Sequence, residues 1–137
     1  MSIELSVLAW GCVLGVVQIF VAAQLARRQY GLDWALSSRE ATLPPPTPVV
    51  GRMKRAQANF FETFPIAAAA ILIVEAGGLN SFWTAAGAIL WLAARLLYLP
   101  VYAMGITGWR SLLFASSIVG IGLMLWPALA GSFSWAW

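Results

Sequence analysis

The chain has 137 residues, of which 61% are hydrophobic and 9% charged, and its mean hydropathy is +0.83. Ordinary soluble domains are about 45–50% apolar and about 25% charged, so a cytosolic enzyme, a disordered linker and a nucleic-acid-binding module all fit badly, and the composition is that of an integral membrane protein. Eight Lys and Arg against five Asp and Glu are too small an excess to imply nucleic acid, and with no His and a lone Cys12 in an apolar run neither a disulfide framework nor a His- or Cys-based metal site is expected.

A membrane-spanning helix takes about 20 residues, so four of them with short loops use most of the chain and leave no room for a separate soluble domain. The first apolar segment runs from about residue 3 to 26, interrupted by Glu4, Gln18 and Gln24, and ends at Arg27-Arg28. A cleaved signal peptide carries its positive charges ahead of its apolar core. Here they follow it, which predicts a retained helix. Residues 27–55 form the long polar stretch, with the run Leu43-Pro44-Pro45-Pro46-Thr47-Pro48. Such a proline run favours polyproline II geometry, so the stretch reads as a surface loop.

Three further spans are expected over about 56–75, 80–104 and 109–133. The connections Ala76-Gly77-Gly78-Leu79 and Gly105-Ile106-Thr107-Gly108 are short and Gly-rich, which makes consecutive helices antiparallel neighbours. The expected fold is all-α, a four-helix membrane bundle. Arg27, Arg28, Arg39, Arg52, Lys54, Arg55 and Arg110 lie in or beside the first and third loops, which places those loops in the cytoplasm and both termini outside. Trp34 and Trp109 are then expected near the inner interface, and Trp83, Trp126, Trp135 and Trp137 near the outer one. Small residues at close spacing, among them Gly11, Gly15, Gly87, Gly120 and Gly122, read as helix-packing positions. Pro65, Pro100 and Pro127 fall inside the later three spans.

Packing does not explain the run Gly51-Arg52-Met53-Lys54-Arg55-Ala56-Gln57-Ala58-Asn59-Phe60-Phe61-Glu62-Thr63-Phe64-Pro65, which carries polar side chains into a spanning segment. On a helix, Arg52, Arg55, Asn59 and Glu62 form one stripe about 15 Å long. A carboxylate at membrane depth costs about 2.5–3.5 kcal/mol even on a lenient insertion scale, so Glu62 should face the bundle interior. The next span supplies a matching face in Arg95, Tyr98 and Tyr102, and Arg95 is the expected partner of Glu62. Two readings stay open. One is a buried ion pair that fixes helix register. The other is a pocket for a small zwitterionic ligand, with Arg for its carboxylates, Glu62 for its amine, and Asn59 and Gln57 for its amides.

The motif Arg55-Ala56-Gln57-Ala58-Asn59-Phe60-Phe61-Glu62-Thr63-Phe64-Pro65 resembles the second-helix signature of the leukotriene-C-forming synthases and microsomal glutathione transferases, of the membrane-associated proteins in eicosanoid and glutathione metabolism (MAPEG). The similarity extends to Arg27-Arg28, to Ala94-Arg95-Leu96-Leu97-Tyr98 with Tyr102, and to Arg110-Ser111. The resemblance implies a homotrimer with glutathione as co-substrate at each subunit interface near the cytoplasmic side, no metal, and a hydrophobic electrophile or membrane lipid entering from the bilayer. By position, Arg28, Arg52, Arg55, Gln57, Asn59, Glu62, Arg95, Tyr98 and Tyr102 are the implied glutathione contacts. Family enzymes stabilise the thiolate with an arginine near the start of the last helix, since a cation beside sulfur favours the form that attacks. Arg110 is the implied thiolate stabiliser and Ser111 a donor to sulfur, although Trp109 aligns with that arginine of the leukotriene-forming enzymes and Thr63 with one of their tyrosines.

Such a protein is expected to be a membrane-bound glutathione transferase or peroxidase acting in detoxification. The composition looks like the bacterial branch, hence an inner membrane. A non-catalytic lipid-binding or scaffold member of the family is the alternative. A small multidrug transporter fits less well, because those proteins carry their essential Glu in the first helix and have short loops.

Overall fold

The computed structural model describes residues 1–133, so the expected interfacial roles of Trp135 and Trp137 lie outside the described residues. Helix α1 runs Ile3–Tyr30, a short α2 Leu32–Leu36, α3 Pro48–Ala76, α4 Phe82–Ala103 and α5 Thr107–Phe133, and no strand occurs among the described residues. Four of these helices, all but α2, are long and apolar enough to cross a membrane. The all-α bundle of four spanning helices is therefore as expected.

The polar stretch differs from its expected form. Only residues 31–47 connect α1 to α3, and they include α2, because α1 continues through Arg27 and Arg28 and α3 already begins at Pro48. Proline is suited to that place, since the first helical N–H has no intrahelical acceptor anyway and its φ is preset. The run Arg52 to Glu62 is thus helical throughout, which the stripe requires. The connection is tied down by side chains: Gln29 donates to the Pro45 carbonyl (3.1 Å) and accepts from Thr47 N–H (2.9 Å), and the Tyr30 hydroxyl donates to the Pro44 carbonyl (3.0 Å). Prolines lack an N–H but keep their carbonyls, and these contacts use them.

At the core, Phe60 and Phe64 of α3 stack at 5.2 Å and Phe64 meets Trp91 of α4 at 5.9 Å. Gly11 and Gly15 on α1 leave room for these rings; a Cβ at Gly11 would already lie 3.0 Å from both Phe64 and Trp91. Helices α4 and α5 meet backbone to backbone at Gly87 and Gly120. Gly122, expected to pack, has open space beside it.

A polar lock closes the end of the bundle away from the arginines. Glu4 is buried and accepts from the Thr84 hydroxyl at 2.6 Å, Ser2 donates to Glu75, and Asn80 donates to the same carboxylate at 2.9 Å. Glu4 reads in the sequence only as an interruption of an apolar run, yet it sits in the first turn of α1, where the helix dipole favours a carboxylate.

Candidate functional site

Near the other end of the bundle, α3, α4 and α5 enclose a groove of ≈ 500 Å³ lined by Arg55, Ala58, Asn59, Glu62, Tyr98, Tyr102, Arg110, Ser111 and Phe114. Seven of these were singled out by spacing or motif. Their convergence follows from helix phase: Arg55, Asn59 and Glu62 recur every three or four residues on α3, Tyr98 and Tyr102 do so on α4, and the short 104–106 turn returns the first turn of α5 to the same level.

The wall is preorganised. Arg55 Nε donates to the Tyr102 hydroxyl at 3.2 Å, the Tyr98 and Tyr102 rings lie 5.4 Å apart, and the Arg110 guanidinium sits 5.2 Å from the centre of the Tyr102 ring. Arg110, not Trp109, is the residue that reaches the groove; Trp109 is 62% exposed on the outside of α5. One residue along a helix is a rotation of about 100°, so the one-position offset decides which side chain faces in.

The expected Glu62–Arg95 pair is not formed. Arg95 is buried at 2% exposure and donates to Asn59 Oδ1 (2.7 Å) and Thr63 Oγ1 (2.8 Å), and its guanidinium lies between the Tyr98 and Phe114 rings. Asn59 and Thr63 are four apart and share a face, whereas Glu62 is rotated about 100° from Thr63 and stands exposed on the groove wall. Arg95 thus acts behind the groove, holding Asn59. Thr63, where relatives were expected to carry a ligand-contacting tyrosine, has its single hydroxyl proton directed at the Asn59 or Phe60 carbonyl while it accepts from Arg95. That hydroxyl is used inward, and Thr63 does not line the groove. Spacing alone could have shown the i, i+4 relation of Asn59 and Thr63, though not that Arg95 would bridge them.

Because Asn59 and Thr63 both depend on one planar fork, Arg95→Lys is expected to lower stability by about 1–3 kcal/mol, the cost of leaving a buried acceptor unpaired. Thermal unfolding in detergent tests this, and an unchanged midpoint would show that the bridge contributes nothing.

Three other implied contacts lie elsewhere. Gln57 lines a second groove of ≈ 420 Å³ on another face of α3, together with Arg27, Arg39, Lys54 and Trp34. Arg28 is exposed and lines neither groove; its neighbour Arg27 does, again for reasons of helix phase. Arg52 reaches away from the larger groove into a small recess beside the α4–α5 turn. The chain does not gather all the implied contacts in one place.

Comparison with known proteins supplies the family. No curated protein matches the chain. The family model of the MAPEG family, however, matches residues 7–130 and so takes in most of α1 and α5, all of α3 and α4, and every residue of the groove. The chain is an integral membrane protein and belongs to the MAPEG family.

Proposed function

We propose that this protein is a membrane-bound glutathione-dependent transferase or peroxidase. The observation that carries the reading is the larger groove, where the guanidinium groups of Arg55 and Arg110, the Glu62 carboxylate, the Asn59 amide and two phenols face one space of ≈ 500 Å³. Small-molecule sites run to about 300–1,000 Å³, and this donor set matches a ligand with carboxylates, an amine and amides. Glutathione has all of them, and family membership supports it. Glu62, exposed at membrane depth on the isolated subunit, gains a reason in the ligand's ammonium group.

In this reading Arg110 holds the glutathione sulfur as thiolate and Ser111 donates a hydrogen bond to it. The thiolate attacks an electrophilic carbon of a hydrophobic substrate, a C–S bond forms, and the electron pair leaves with the displaced group or opened ring. With a lipid hydroperoxide, sulfur attacks the O–O bond, the alcohol leaves, and a second glutathione converts the sulfenic acid to disulfide and water. Separation of Gln57 and Arg27 from the first groove supports a homotrimer in which the second groove of one subunit completes the first groove of the next. The excess of Arg and Lys at this end supports a cytoplasmic site with both termini outside, in a bacterial inner membrane.

Calorimetry on the detergent-solubilised protein tests the proposal. Glutathione binding is expected, and Glu62→Gln is expected to weaken it roughly tenfold or more, the worth of a charge-assisted hydrogen bond. Absence of binding at millimolar glutathione would sink the enzyme reading. It would favour the non-catalytic lipid-binding alternative, for which the apolar groove of ≈ 420 Å³ between Trp10, Val13, Leu14, Val17, Leu92 and Leu96 is the supporting observation. That alternative predicts a lipid that copurifies.

A further inference from the structure

The recess at the α4–α5 turn has a different chemistry from the groove beside it. Arg52, Arg55 and Arg110 line it with Tyr102 and Thr107, and no carboxylate is among its lining residues. Arg52 reaches the recess by packing on Gly105, where φ is +76° and a Cβ would collide with the guanidinium, so glycine serves both the turn and the seat of the cation. Its Nε is buried with no hydrogen-bond partner among the described residues. Three guanidinium groups lining one recess with no carboxylate among them are donors that an oxyanion satisfies.

Size and surroundings restrict what brings that oxyanion. At ≈ 160 Å³ the recess is smaller than the sites that enclose a whole small molecule, so it holds one group of a ligand whose remainder lies outside. Ile106 lines the recess, and it, its turn neighbour Met104 and Trp109 in the first turn of α5 are all apolar and exposed. An exposed tryptophan at the end of a spanning bundle sits at head-group level, and the remainder of the ligand meets apolar side chains there.

We propose that this recess binds the phosphate of an anionic phospholipid, with Arg52 as its dedicated ligand and the acyl chains passing over Met104, Ile106 and Trp109. Basic pockets between membrane helices take lipid head groups in this way. Arg55 and Arg110 also line the larger groove, so a bound head group shares two cations with whatever that groove holds. The site stands on its own geometry and does not depend on glutathione binding.

Native mass spectrometry of the detergent-solubilised protein, titrated with dioleoyl phosphatidylglycerol or dioleoyl phosphatidylcholine, tests it. The expected result is preferential retention of phosphatidylglycerol that falls roughly tenfold in Arg52→Gln and stays at the wild-type level in Arg28→Gln, which removes an exposed cation that lines neither groove nor the recess. Arg52→Lys, which keeps the charge and loses the fork, takes its place if Arg52→Gln does not fold, and wild-type retention in it overturns the assignment. Equal retention of the two lipids, or equal loss in the Arg28 and Arg52 variants, overturns it as well. Displacement of phosphatidylglycerol by an excess of inorganic phosphate marks a free-anion site and overturns the lipid as its source.

Discussion

Arg110→Ala is expected to lower turnover by about 10²–10³-fold while glutathione still binds, with the ultraviolet thiolate band of the complex lost. The size follows from removing one preorganised charged donor aimed at the reacting atom. Retained binding follows from geometry, because Arg55, Asn59 and Glu62 line the groove from α3, and Arg55 and Asn59 are held by Tyr102 and Arg95 of α4 rather than by Arg110. Arg110 is braced by the Tyr102 ring at 5.2 Å, so its position in the groove is set before any ligand arrives. Turnover unchanged by the substitution would sink the assignment and leave Arg110 as an interfacial anchor. Loss of binding together with turnover would instead make it a carboxylate ligand.

Gly87→Val is expected to be strongly destabilising, at about 3 kcal/mol or more. A Cβ at Gly87 would lie 2.7 Å from the Gly120 carbonyl oxygen and 2.8 Å from Leu123 Cβ, and a Cβ at Gly120 would lie 2.6 Å from the Gly87 carbonyl and 2.9 Å from Trp91 N. Overpacking a core commonly costs about 1–3 kcal/mol, and this wedge meets backbone that cannot step aside as a flexible side chain would. Even Gly87→Ala should destabilise, although alanine gains about 1 kcal/mol of helix propensity over glycine. Gly122→Ala is the contrasting substitution, since open space surrounds it and only the propensity gain remains. Thermal unfolding of the three variants, followed by helical circular dichroism in detergent, separates the effects. A Gly87→Val midpoint equal to wild type would mean that α4 and α5 do not approach as closely as described. The consequence reaches the site, because α4 carries Tyr98 and Tyr102 and α5 carries Arg110 and Ser111.

Much of the groove was legible in the chain because both ingredients are periodic. Arg55, Asn59 and Glu62 stand at helical spacing in a segment that hydropathy already marks as spanning, and Tyr98 and Tyr102 repeat the pattern on the next span. The motif then named the family, and the match over residues 7–130 agrees. Periodicity was less informative where two neighbours carry the same charge. Arg27 and Arg28 differ by about 100° of helix rotation, and only the packing of α1 against the rest puts Arg27 in a groove and Arg28 outside. Gln57 is likewise two residues from Arg55, about 200° around α3, and belongs to another face.

Hydropathy, proline placement and residue spacing by themselves determined the four spanning helices, their antiparallel order and the polar stripe on α3, because each depends on one helix and the solvent it meets. Which faces touch was decided by tertiary structure alone. Arg95 bonds Asn59 and Thr63 rather than Glu62, and Glu4 finds Thr84 from 80 residues away. Charge complementarity suggested the nearest acid for Arg95, but a buried guanidinium is satisfied by whichever acceptors the crossing of two helices brings within reach. That crossing is set by the Phe60, Phe64 and Trp91 rings and the glycines that admit them, a property of several helices packed together.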